Sequence, residues 1–73
     1  MENGNMTKPS LTDREIAILN CLKNGNSSFE IAGALNISER TVVFHVANLK
    51  KKLKAINRAH AVAIAAGFGL LDL

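Results

Sequence analysis

The sequence predicts an all-α fold of four helices, and three observations carry that prediction. Apolar residues recur at spacings of three and four in successive segments, with no strand-like alternation between them. Each segment follows a side chain suited to capping a helix, namely Thr12, Ser27, Ser38 and Asn57. Helix-ending glycines sit where a first and a last helix would stop, at Gly25 and at Gly67 or Gly69.

Order is expected to begin near Leu11. Residues 1–10 have no periodic apolar pattern and read as a flexible tail or linker, with the domain proper over residues 11–73. Thr12-Asp13-Arg14-Glu15 is a capping box, in which Thr12 accepts the Glu15 amide and the carboxylate returns the bond. The helix it opens should run to about Asn24, with Gly25 as a left-handed cap. Ser27-Ser28-Phe29-Glu30 repeats the box and opens a short helix to about Asn36, with Ile31, Ala32 and Leu35 as its core face. Asn36-Ile37-Ser38 can only be a tight turn. Ser38 then caps a third helix reaching about Lys54, and two helices joined so closely describe a helix-turn-helix. Asn57 caps a fourth helix over about residues 58–66.

Composition bounds the function. Seventy-three residues make one small domain, and 48% apolar content with 4% aromatics gives a core of aliphatic and alanine side chains. A core this small gains from an oligomeric partner. One cysteine, Cys21, excludes an internal disulfide, and with two distant histidines no metal site or cofactor is expected. Cys21 reads as inert filler. No Ser/His/Asp grouping or pair of carboxylates is placed for catalysis, so an enzyme is not expected. No signal peptide or membrane-spanning apolar run is present, which points to a cytoplasmic protein without a membrane partner. Nothing here is large enough to enclose a small-molecule ligand.

The net charge of +3 hides a polarised chain. Residues 1–39 set three cations against five carboxylates, whereas residues 40–71 contain no Asp or Glu and carry Arg40, Lys50, Lys51, Lys52, Lys54 and Arg58. An apolar-seamed helix ending in a lysine cluster suits a polyanion reader, and DNA is the expected polyanion.

At about 100° per residue, Val42, Val46, Leu49 and Leu53 fall in one narrow sector that must face the core. Nearly opposite lie Arg40, Phe44, Ala47 and Lys51, flanked by Asn48 on one side and Val43 on the other. Phe44 packs either on a neighbouring helix or partner chain, or against base edges and thymine methyls. Ala47 is small enough to let the helix approach a groove closely. Arg40 and Thr41, near the N-terminus, are placed for bases or phosphates. Of the lysines, two or three can neutralise phosphates while the rest remain in water.

These residues resemble a known family. Leu11-Thr12-Asp13-Arg14-Glu15, Ser27-Ser28-Phe29-Glu30-Ile31-Ala32, Ile37-Ser38-Glu39-Arg40-Thr41-Val42 and Phe44-His45 are similar, in order and spacing, to the LuxR/GerE-type helix-turn-helix domain. Asn57-Arg58 and the alanine-rich helix after it extend the resemblance over about residues 11–71. The Phe44-His45 pair and the Ser-Ser-Phe-Glu-Ile block look most like the quorum-sensing branch, whose members carry an acyl-homoserine-lactone-binding domain upstream. The resemblance implies a four-helix LuxR-type domain of a transcription regulator that binds dyad-symmetric double-stranded DNA as a homodimer. It further implies a third helix in the major groove and a fourth at the dimer contact.

Base-contacting positions of the family fall on Val43, Phe44 and Ala47. Phosphate contacts are expected from Ser38, Arg40, Thr41, His45, Asn48, Lys50 and Lys51. Many members carry Lys or Arg where this chain has Val43, and neither Val43 nor Ala47 can donate a hydrogen bond to guanine. Apolar contact and DNA shape must then supply specificity, or specificity is weak.

Other residues keep two readings. Glu15 lies among Ile18, Leu19 and Leu22, and if buried needs a cation, either Arg58 or Lys52. His45 either packs beside the core stripe or approaches a phosphate. The alanines of the fourth helix reflect helix propensity, or a close contact with a second chain through Ala59, Val62, Ala63 and Ala66; the interface is the favoured expectation. The alternative function is a small interaction module that sequesters a full-length regulator through the fourth helix.

Overall fold

The computed structural model describes residues 8–71. Most of the expected tail, residues 1–7, lies outside the described residues, as do residues 72 and 73; residues 8–10 adopt neither helix nor strand. Four helices follow in order, α1 (Asp13–Lys23), α2 (Ser28–Leu35), α3 (Glu39–Leu53) and α4 (Arg58–Gly67). No strand occurs among the described residues.

Every start is fixed by the expected cap. Thr12 Oγ1 accepts Glu15 N–H at 3.1 Å and Glu15 Oε1 accepts Thr12 N–H at 2.9 Å. Ser27 and Glu30 make the same reciprocal pair at 3.1 and 2.8 Å. Ser38 Oγ accepts Thr41 N–H at 3.0 Å, and Asn57 Oδ1 accepts His60 N–H at 2.8 Å. At α4 the return bond comes from histidine, since His60 Nδ1 accepts Ile56 N–H at 3.0 Å. The Asn57-x-x-His60 spacing matches that of the two glutamate boxes, a signal that acidic residues alone do not exhaust.

The helix ends agree to within a residue. Gly25 takes φ +84°, the left-handed region expected of it. Asn36 closes α2 with φ 57° and lets Ile37 N–H reach back to Ala32 O at 3.1 Å. Asparagine tolerates this conformation, which allows the chain to turn into α3 within three residues. Lys54 ends α3 the same way at φ 56°, with Ala55 N–H bonded to Lys50 O at 2.8 Å.

Packing centres on α3, which touches each of the other helices. Val42, Val46, Leu49 and Leu53 are all buried, as the sector argument required. Ile18 and Leu19 meet them from α1, Ile31 and Ala32 from α2, Ala61 and Ala65 from α4, and Leu71 from the segment beyond. Because α3 spends its whole apolar stripe on this core, its opposite side is left to solvent.

The cation for Glu15 is Lys52, not Arg58. Lys52 Nζ lies 2.8 Å from Glu15 Oε1, while Arg58 turns to Ser28. Glu15 is buried, and burial pushes its carboxyl up. The Lys52 ammonium and the Thr12 N–H more than offset this and hold it net below the ordinary carboxylate value. A carboxyl depressed in the fold stabilises the protein above its unfolded value of about 4.3, and that contribution disappears as pH falls through the lower folded value.

Lys52 is 40% exposed and can turn to water, so Glu15→Gln should cost about 1–3 kcal/mol at pH 7, less than breaking a fully enclosed pair. Urea unfolding of both proteins at pH 7 and pH 3 checks this. The gap should shrink at pH 3, and an equal gap at both would contradict the assignment.

Candidate nucleic-acid interface

The first residues of α3 form a polar rim. Ser38 and Arg40 are exposed and Thr41 is half-buried. The Ser38 and Thr41 hydroxyl oxygens lie 2.8 Å apart, so one hydroxyl donates a hydrogen bond to the other at the helix start. The first-turn amides of α3 give this end of the helix a partial positive charge that favours an anion.

Beyond the rim the helix presents an apolar patch. Val43 is 55% and Phe44 61% exposed, and Ala47, one turn on, is exposed beside them. These three positions, at i, i+1 and i+4, occupy one side of α3. Phe44 therefore does not pack into its own fold. Among the described residues its ring meets that of His45 edge-to-face, with centroids 5.8 Å apart and planes at 66°. His45 and Asn48 are half-buried at the margins between the patch and the core stripe.

The C-terminal half supplies charge, unevenly distributed. Lys51 is exposed on the same side as Ala47, and Lys50 is half-buried. Lys52 is committed to Glu15 and also reaches Ser10 O at 3.4 Å, so its charge is already compensated. Among the described residues Arg40, Lys50, Lys51 and Lys54 have no carboxylate within ion-pair distance. The structure thus brings Arg40, Val43, Phe44, Ala47 and Lys51 onto one open face and ties Lys52 to Glu15 beside it.

The α4 positions separate as cleanly. Ala61 and Ala65 are fully buried, whereas Ala59 and Ala63 are exposed and Val62 and Ala66 half-buried. An open strip of small apolar side chains therefore runs opposite the buried pair. A shallow groove of about 250 Å³ adjoins it, lined by Leu22, Gly25, Asn26, Arg58, Ala59 and Val62. Two exposed apolar residues were not singled out in the sequence, Phe29 on α2 and Ile56 in the α3–α4 turn. Phe29 lies off the α2 face formed by Ile31, Ala32 and Leu35 and is left to solvent.

Among the described residues no helix is long and apolar enough to cross a membrane, and no group of His, Cys, Asp or Glu is arranged to hold a metal ion.

Residues 9–65 match the family profile described as bacterial regulatory proteins, luxR family. The chain is 49% identical over 61 residues to the HTH-type quorum-sensing regulator RhlR of Pseudomonas aeruginosa, a match covering 84% of the chain and 25% of RhlR. It superimposes on the structure of the transcription factor GerE with TM-score 0.82 and 35% identity, covering 85% of this chain and 92% of that one. The VqmA–ligand–DNA complex of Vibrio cholerae gives TM-score 0.76 and 32% identity, covering 90% of this chain and 30% of VqmA. The chain spans about a quarter of the length of the curated relatives it matches.

Proposed function

The chain belongs to the luxR family of bacterial regulatory proteins, a regulatory class and not an enzymatic one, and from that premise we propose that it reads DNA for a quorum-sensing-type transcription regulator. In this reading α3 lies in the major groove. The observation that carries it is the open face of α3, where Val43, Phe44 and Ala47 stand outward between Arg40 and Lys51, with Glu39 in the first turn the one carboxylate of the helix. An apolar patch with a cationic border fits a groove floored by base edges and walled by phosphates.

The roles divide by chemistry. Val43, Phe44 and Ala47 have no hydrogen-bond donors on their side chains, so they contact thymine methyls and sugar, and they favour sequences whose shape admits the phenyl ring. Ser38, Arg40, Thr41, His45, Asn48, Lys50 and Lys51 hold the helix against the phosphates. Ala59, Val62, Ala63 and Ala66 form the contact with a second copy. Two recognition helices related by that contact would lie about one DNA turn, roughly 34 Å, apart on a dyad-symmetric site.

The test is a salt titration of duplex binding. Affinity should fall with a log–log slope of about −0.9 per neutralised phosphate. Lys51→Ala should lower affinity for all duplexes alike and flatten that slope by about 0.9. Phe44→Ala should instead alter the preference between duplexes by roughly five- to tenfold, about 1–1.4 kcal/mol. If both variants lose the same factor on every duplex, Phe44 does not read sequence. Absence of salt-dependent binding, with tight capture of another regulator, would favour the sequestration module instead.

Ala63→Glu tests the dimer. A carboxylate on the open strip of α4 should abolish two-copy occupancy of a dyad site while single-copy binding and the melting temperature persist. Sedimentation of the protein–DNA complex distinguishes one copy from two, and unchanged stoichiometry would move the interface elsewhere.

A further inference from the structure

Arg58 stands apart from the other cations. It belongs to the first turn of α4, yet its Nη1 donates to Ser28 Oγ at 3.3 Å, thirty residues away in sequence on the first turn of α2. The side chain is exposed and no carboxylate lies within ion-pair distance of it among the described residues. A guanidinium has five N–H donors, and this one uses a single long bond. Lys52, by contrast, is neutralised by Glu15. Arg58 is thus a positioned cation with most of its hydrogen-bonding capacity and all of its charge uncompensated. It also borders the groove lined by Asn26 and Gly25.

Position gives that charge a use. In a helix-turn-helix the second helix enters the groove while the first crosses the sugar–phosphate backbone. The first helix here is α2, and Arg58 is tied to its opening turn. We propose that Arg58, steered by Ser28, neutralises a backbone phosphate of the bound duplex, a contact contributed by α4 from outside the recognition helix. This rests on the DNA-reading function above and adds a phosphate contact to it. The helix start alone could not do this, because Glu30 occupies the same turn and folds its carboxylate onto Ser27 N–H at 2.8 Å. The guanidinium is the group able to offset a phosphate there, and its planar fork suits two phosphate oxygens at once. In consequence α4 carries both a backbone contact and the strip proposed for the dimer, so the DNA grip and the pairing of chains share one rigid element.

A strut joining α4 to α2 is the competing explanation, and the salt slope separates the two. The probe is a mixed-sequence duplex of about three helical turns, since a phosphate contact is independent of sequence. Arg58→Gln retains an N–H donor for Ser28 but removes the charge. It should flatten the log–log slope by about 0.9, so that between 50 and 200 mM salt the wild type loses about 3.5-fold more affinity than the variant. Arg58→Lys should retain the wild-type slope, and both should melt within a few degrees of wild type. An unchanged slope for Arg58→Gln, whatever its melting temperature, overturns the phosphate contact while leaving the DNA-reading function standing. If the wild type itself binds without salt dependence, that function fails first and the contact with it.

Discussion

Ala47→Glu is expected to abolish duplex binding and leave the fold intact. Ala47 is exposed at the centre of the α3 face, between Phe44 and Lys51, so a longer side chain meets no neighbour in the free protein. Alanine and glutamate are both good helix formers, and exposed substitutions of this kind usually change stability by no more than about 0.5 kcal/mol. In the complex the same carboxylate would be pressed between two phosphate walls and would also draw on Lys51, its neighbour one turn on. Like-charge juxtaposition at an interface costs several kcal/mol, so affinity should fall roughly a hundredfold or more, about 3 kcal/mol. Fluorescence anisotropy on a labelled duplex, beside a thermal melt followed by circular dichroism, checks both halves. Binding that survives with a normal melt would turn the recognition face away from Ala47.

Leu49→Ala, two residues further along the same helix, is expected to do the opposite. Leu49 is fully buried in the core stripe of α3, where α1, α2 and α4 converge. Removing it leaves a cavity that so short a domain cannot refill, at a cost of about 2–5 kcal/mol. Cores of this size rarely supply more than about 3–5 kcal/mol in total, so the variant should be largely unfolded near 37 °C. Leu49→Met, which conserves volume, should cost less than about 1.5 kcal/mol. Denaturation by urea with the three proteins in parallel measures the differences. Saturating duplex should raise the melting temperature of Leu49→Met and wild type alike, because a ligand bound only by the folded state shifts the equilibrium toward it. A Leu49→Ala protein that melts like wild type would mean that α3 is not the central packing element.

The contrast between these neighbours reflects how much of the fold was legible in one dimension. Caps are local: Thr12 with Glu15, Ser27 with Glu30, Ser38 with Thr41 and Asn57 with His60 all act across three residues. Helix periodicity is local as well, which is why the buried stripe Val42, Val46, Leu49 and Leu53 and the open residues Phe44 and Ala47 could be assigned from spacing. The expected open strip on α4 follows the same logic, with Ala61 and Ala65 turned inward and Ala59 and Ala63 outward.

Spacing could not choose between partners far apart in the chain. Glu15 had two possible cations, and which of them reached it depended on how α1 crosses α3: Lys52 does, 37 residues away. Arg58 reaches Ser28 instead, and Arg14 reaches the Leu35 carbonyl at 3.4 Å, both through the placement of helices that the pattern of neither helix encodes. Phe29, by contrast, falls off the Ile31, Ala32 and Leu35 face that spacing defines on α2. Short-range order, the capping atoms and the two faces of α3 were written in residue type and spacing, since bonds across three or four residues need only a helix to form. The pairing of distant charges, and hence which cations remain free to meet a phosphate, was settled by helix crossings that arise only when the apolar stripes pack into one core.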